Sequence, residues 1–192
     1  ILGLQEPEYV TVEAHCEANP EACVSIGEAN APVTVVEVLD FGCPHCRDFH
    51  ETTSVQISDS YVEDGAVRWL YLPYALRRET IPAASASMCA AEQGGYTAFS
   101  DAMFARFDDA DYLTRSSILA SGEAAELEME SFTSCVQSGT FDDTIRQNMR
   151  IAQQNRLNST PTFLVNGRLL RGAQPFTAFQ QLIEQVLTQA NQ

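Results

Sequence analysis

Two cysteines separated by two residues, Cys43 and Cys46, stand in the run Phe41-Gly42-Cys43-Pro44-His45-Cys46. A dithiol at this spacing can close a disulfide, pass it on by thiol exchange, or supply half of a metal site. Zinc needs a second pair, or a His pair, at ligand spacing. The other cysteines, Cys16, Cys23, Cys89 and Cys135, form no such knuckle, and His50 is a single further donor. The reading is therefore redox exchange, with an inert structural disulfide as the alternative and no metal or cofactor expected.

The elements around the pair must make it reactive. Val33 to Leu39 is rich in Val and bounded by Pro32, which reads as a buried strand. Beyond it Cys46, Phe49, Thr53, Ile57 and Ser60 or Tyr61 recur at helical steps until Asp64-Gly65 supplies a stop. Pro44 then takes the first helical position, where its missing N–H costs nothing, and Cys43 becomes the N-cap. A sulfur there meets the unpaired amides of His45 and Cys46 and the positive end of the helix dipole, and His45 can add a donor or a positive charge. The expected direction is a depressed Cys43 pKa, which makes Cys43 the attacking and attacked sulfur. Cys46, one turn inside, is the shielded resolving partner.

The 192 residues, 45% of them hydrophobic, suit one domain with a full core and an insertion, and no segment approaches a membrane span. The 26 acidic residues face 11 basic ones, all Arg, for a net charge of −15. That balance argues against nucleic acid or an anionic membrane surface as partner. Because the acids are spread along the chain, solubility or a salty or acidic habitat explains them better than a docking site. Four cysteines outside the active pair have little use in a reducing cytosol; paired, they indicate the periplasm or the exterior of a cell envelope, and buried free thiols are the alternative. The start, Ile1-Leu2-Gly3-Leu4, lacks Met and a basic region and reads as a processed or trimmed end, consistent with a removed signal or anchor.

Residues 1 to 30 read as an acidic arm or short helix, with Cys16 and Cys23 closing a small loop. Ala66 to Leu72 reads as a second strand, parallel to the first, with Trp69 in the core. From about residue 76 to 157 the pattern is helical, with segments at Pro82 to Gln93 and Tyr96 to Phe107, further short helices after the polar turn Asp108-Asp109-Ala110-Asp111, and segments at Glu123 to Gln137 and Phe141 to Leu157. This block is an insertion in an α/β motif, and Cys89 is expected to pair with Cys135 across it, where a disulfide restricts the unfolded chain most. Asp108, Asp109 and Asp111 lack the Gly and terminal Glu of a calcium loop and read as solvated turn acids. Asn158-Ser159-Thr160-Pro161-Thr162 leads into a strand over Phe163 to Val165, an Asn166-Gly167 hairpin turn and a strand over Arg168 to Arg171. A last helix opens at Pro175 and carries its apolar stripe on Phe179, Leu182, Ile183, Val186 and Leu187.

This order, with Cys-Pro-His-Cys at 43 to 46 and Thr160-Pro161 before Phe163-Leu164-Val165-Asn166-Gly167, resembles the thioredoxin fold and, more narrowly, the DsbA-like thiol-disulfide oxidoreductases over about residues 30 to 190. Cys89 in Met-Cys-Ala-Ala-Glu-Gln and Cys135 in Ser-Phe-Thr-Ser-Cys are similar to the extra pair of some members. The resemblance implies an α/β thioredoxin domain over 31 to 192 with an inserted helical subdomain. It implies a cis Pro161, whose preceding Thr160 offers its backbone to an extended substrate. A glycan on Asn158 would block that loop, so the acceptor pattern there reads as chance. The resemblance also places Glu37 beneath the disulfide as a buried acid exchanging a proton with Cys46; the alternative is an edge-strand Glu reaching solvent.

The function so implied is an oxidase that donates the Cys43–Cys46 disulfide to reduced or unfolded proteins and is reoxidised by a quinone-linked membrane partner. Two rivals stand beside it. Thr160 before Pro161 is similar to family isomerases and reductases, although residues 1 to 30 are too few for their dimerisation domain. A non-catalytic binding or chaperone module on the same fold is the other.

Overall fold

The computed structural model describes residues 10–190, so the readings made on Ile1-Leu2-Gly3-Leu4 and the first part of the arm lie outside the described residues. Thr11 caps helix α1 (Val12–Ala18) by accepting from the Ala14 amide at 3.1 Å. A disulfide joins Cys16 in that helix to Cys23. Strand β1 (Val24–Ile26) follows directly, an element the arm reading did not contain.

Strands β2 (Val33–Leu39) and β3 (Val67–Pro73) run parallel, and β4 (Thr162–Val165) and β5 (Arg168–Arg171) complete a five-stranded sheet of order β1-β3-β2-β4-β5. The other three pairings are antiparallel. The central place of β2 explains its continuous apolar run, since both of its faces are covered. Asn166 and Gly167 turn β4 into β5 with φ of 44° and 78°, the left-handed backbone that a two-residue hairpin demands.

Between β2 and β3 the chain is helical from Pro44 to Val62, but not as one regular helix. α2 (Pro44–Phe49) and α3 (Val55–Ile57) alternate with wider π turns at His50–Ser54 and Ser58–Val62. The stripe read from the sequence is buried at Cys46, Phe49, Thr53, Ile57 and Tyr61, while Ser60, the other candidate for its last position, is exposed. Gly65 at φ +71° lies in the turn that follows.

Between β3 and β4 come α4 (Ile81–Ala91), α5 (Tyr96–Ala105), α6 (Arg115–Ala124), α7 (Met129–Ser138) and α8 (Asp142–Gln154). The helix expected from Glu123 to Gln137 starts only at Met129, because α6 runs on to Ala124 and the chain then turns. Glu126 takes φ 56° and Glu128 recaps the chain, its carboxylate accepting from the Glu130 and Ser131 amides at 3.0 and 2.9 Å. Helix α9 (Phe176–Ala190) closes the fold.

Phe179, Ile183 and Val186 of α9 join Phe49, Trp69 and Phe163 on one face of the sheet. Val12, Cys16, Ala152 and Leu157 cover Val36, Val38, Leu70 and Leu72 on the other. A third core, between the sheet and the helical block, includes Cys43, Cys46, Cys89, Phe41 and Phe99. The dithiol therefore sits where the sheet meets the block.

Candidate active site

Cys43 is the N-cap of α2 with Pro44 next to it, and its carbonyl accepts from the Cys46 and Arg47 amides at 3.1 and 3.2 Å. Cys43 and Cys46 are free thiols, both buried, at 5% and 1% exposure. The Cys43 pKa is lowered from its ordinary 9.0 to about 6. The largest cause is a hydrogen bond from the Cys46 side chain, working against burial; Thr160 and the amides of Cys46 and His45 add smaller amounts. The helix start thus acts less strongly than the N-cap argument supposes, since its amides rank below the Cys46 side chain among the causes and the sulfur makes no cap hydrogen bond of full geometry. His45 is exposed, and its part in the thiolate's surroundings is its backbone N–H rather than its ring. Cys46 moves the opposite way, pushed well above 9.0 by burial first and then by Cys43 and Glu37.

Across from the pair, the Thr160–Pro161 peptide is cis, and the Cys43 thiol donates to the Thr160 carbonyl oxygen at 3.2 Å. The Thr160 hydroxyl is buried and makes no hydrogen bond of ordinary geometry, so its lowering of the Cys43 pKa stays small beside that of Cys46. Thr162, tied by its hydroxyl to the Ser159 carbonyl at 2.6 Å, holds the loop ahead of β4.

Glu37 lies on the central strand with 4% exposure, which removes the edge-strand alternative. Burial pushes its carboxyl up to about 8, against the Trp69 indole N–H donating at 3.0 Å. Trp69 is thus core and polar partner at once. Burial, with Glu37 nearby, also raises the phenols of Tyr71 and Tyr96, whose rings lie 4.7 Å apart. The chemistry beneath the sulfurs is that of weak acids holding protons in a dry site.

Sequence reasoning missed Asp40. Its carboxylate, 1% exposed, accepts from the Gly42 and Leu76 amides, both at 2.7 Å, and from the Thr80 hydroxyl at 3.2 Å. Burial raises its pKa while those donors oppose the rise. It fastens the turn carrying Cys43 to the segment leading into α4. At Gly42 a Cβ would collide with Thr80 Cγ2, so that close approach requires glycine. The available signal was an acid at the end of a buried strand, just before a Phe-Gly turn.

Cys89 of α4 and Cys135 of α7 form a disulfide at a sequence separation of 46, and Cys89 packs in the same core as Cys43 and Cys46. Among the described residues no group of three or more metal-ligating side chains gathers, and no helix is long and apolar enough to cross a membrane.

Residues 19–185 match the family described as Thioredoxin, and the chain belongs to that family. Its helical block between β3 and β4 gives it the DsbA-like form of the fold. It superposes on Bacillus subtilis BdbD with a TM-score of 0.79 at 20% identity, over 88% of this chain and 94% of that one. For Chlamydia trachomatis DsbA the TM-score is 0.77 at 19% identity, over 85% and 91%. Among curated proteins it is 32% identical over 149 residues to the Na(+)/H(+) antiporter NhaA 3 of Salinispora tropica, covering 76% of this chain and 22% of that protein. It is 25% identical over 152 residues to the Bacillus anthracis protein named "Probable disulfide bond formation protein D", covering 76% of this chain and 70% of that one. The chain thus spans about a fifth of the antiporter's length and over two thirds of the Bacillus protein's.

Proposed function

We propose that the chain is a thiol-disulfide oxidase that passes a Cys43–Cys46 disulfide to reduced proteins during oxidative folding. The observation that carries this reading is the split between the two sulfurs. Cys43 is poised as a thiolate beside the Thr160 carbonyl, while Cys46 is held as a buried thiol.

In the forward step a substrate thiolate attacks Cys43 Sγ, the Cys43–Cys46 bond breaks, and Cys46 leaves as a thiolate. Glu37, protonated at neutral pH by its dry setting, supplies the proton that Cys46 takes up. A second substrate thiolate then attacks the substrate sulfur of the mixed disulfide and expels Cys43. Two electrons pass to the pair, and the substrate keeps the disulfide. Stabilising the Cys43 thiolate favours the reduced pair, so the disulfide is an oxidant.

The same proposal divides the chain into an arm to about residue 30 and an oxidoreductase domain from 31 to 192, with its helical insertion at about 76 to 157. Thr160 and Pro161 form the loop that receives an extended substrate, with Pro44 and His45 shaping the turn beside it. Cys16–Cys23 and Cys89–Cys135 suit an oxidising compartment outside the cytoplasm. Substrate proteins and a membrane quinone-linked reoxidase are its partners.

Incubation of the oxidised chain with a reduced, unfolded disulfide protein tests the reading, run beside the same protein scrambled. Stoichiometric oxidation of the first, abolished by Cys43→Ser, is expected. Faster recovery of the scrambled protein would establish an isomerase instead, and a Cys43–Cys46 disulfide inert to thiols would establish a binding module.

A further inference from the structure

The 11 arginines are the entire Lys-plus-Arg complement against 26 acids, yet three of them line one depression and a fourth lies in the hollow beside it. A groove of about 610 Å³ is lined by Arg78, Arg146 and Arg150, with Pro82 and Asp142 also in its lining. It shares those last two residues with a smaller hollow of about 210 Å³ that reaches Arg115 and Ser85.

Asp142 and Asp143 partly neutralise Arg146, at 3.6 and 2.8 Å. The guanidiniums of Arg78, Arg115 and Arg150 have no ion-pair or hydrogen-bond partner among the described residues. The Ser85 hydroxyl is buried and likewise unpartnered. In a chain of net charge −15, unpaired cations around one groove form a local field opposite to that of the molecule. Guanidiniums hold carboxylates through paired N–H donors, and those of the groove come from the segment before α4 and from α8, with Arg115 of α6 in the adjoining hollow. Charges spread over a groove and the hollow beside it suit several carboxylates spaced along a chain better than one compact anion.

Arg78 also lies between Leu76 and Thr80, both bound to Asp40, whose backbone carbonyl accepts from the Cys43 amide at 3.0 Å. A chain seated in the groove therefore lies beside the segment that is tied to the Cys43 turn.

We propose that this groove docks an acidic, Asp/Glu-rich segment of a partner polypeptide. The inference is independent of the proposed thiol chemistry. It is tested with the whole chain and a fluorescent, cysteine-free peptide of alternating Asp and Glu, followed by anisotropy. Saturable binding that weakens with salt is expected, with no binding of the equivalent Asn/Gln peptide. R78Q/R150Q should bind about ten-fold more weakly or worse, the scale of losing charge-assisted contacts. R168Q/R171Q, which removes the same formal charge from β5, should keep wild-type affinity. Both replaced groove residues are exposed, and thermal melting verifies that the variant is folded. Three results would overturn the proposal: no binding of the acidic peptide, equal loss in the two variants, or full displacement of the peptide by inorganic phosphate at matched ionic strength. The last would assign the groove to a compact anion.

Discussion

Trp69 donates its indole N–H to Glu37 Oε2 at 3.0 Å from the neighbouring strand, and it is the one side chain hydrogen-bonded to that carboxyl among the described residues. A single neutral donor does not offset the loss of water, so the carboxyl keeps its proton to about pH 8. The sheet thereby holds a protonated carboxyl whose ionisation would push the buried Cys46 thiol higher still.

This protonation has a pH signature. Because folding raises the Glu37 pKa from 4.5 to about 8, the stability linked to its protonation is intact below 4.5 and lost as pH rises through 8. In the oxidised chain, where Cys43 cannot titrate, wild-type Tm should fall across that window more steeply than that of Glu37→Gln. Gln keeps an acceptor for Trp69 and carries no charge. The difference at the alkaline end should be on the order of a few kcal/mol. Parallel curves would show that Glu37 is ionised or solvated in the fold. The same variant should slow disulfide exchange roughly ten-fold or more by removing the proton donor to Cys46.

For Cys43 the sign is reversed. Its pKa falls from 9.0 to about 6, so the reduced chain gains stability relative to the oxidised one as pH rises through that window. Alkylation of the reduced chain should titrate with a midpoint near 6 at Cys43, while Cys46 stays unreactive. Cys46→Ala removes the largest cause of the shift, so the midpoint should move upward by a unit or more, in the direction of 9.0. Ultraviolet thiolate absorbance against pH measures both. An unchanged midpoint would assign the shift to the helix start instead.

That contrast marks what the sequence could and could not convey. The strand Val33 to Leu39, the turn at Asn166-Gly167 and the stripe on Phe179, Ile183 and Val186 were legible because each depends on local periodicity or turn chemistry. β1 was not, because three residues gain a strand's hydrogen bonds only from β3, some forty positions away. The π turns after Phe49 preserve the buried stripe while changing the backbone, so no residue type betrays them. At the site, Cys43 and Cys46 were visible as a spacing. Asp40 and Trp69 act through partners distant in sequence, Leu76 and Thr80 for one and Glu37 for the other.

Asp40→Ala should loosen the turn that aims Cys43. It strips the acceptor from two backbone amides and one hydroxyl in a buried setting, each worth about 1–3 kcal/mol when left unpaired. The expected result is a stability loss of about 3 kcal/mol or more in denaturant, with faster hydrogen exchange at the Gly42 and Leu76 amides. Asp40→Asn retains one carbonyl acceptor and should lose less. Equal behaviour of Asp40→Ala and wild type at those two amides would show that water replaces the carboxylate.

The two disulfides offer a graded comparison. Cys16–Cys23 closes a separation of 7 residues and Cys89–Cys135 one of 46. If each acts by restricting the unfolded chain, loop-closure entropy assigns about 2 kcal/mol to the first and about 4 kcal/mol to the second. The short bridge ties α1 to β1, while the long one ties α4 to α7 within the core that also holds Cys43. Cys89→Ala/Cys135→Ala should therefore lose about twice the stability of Cys16→Ala/Cys23→Ala in equilibrium denaturation. The Cys43 alkylation midpoint should be unchanged in both, because neither bridge contributes to the Cys43 shift. A larger loss from the short bridge would mean that anchoring the arm to the sheet edge in the folded state outweighs the unfolded-chain entropy. A moved midpoint in the long-bridge variant would mean that the helical block, and not only the turn at Asp40, sets the position of the reactive sulfur.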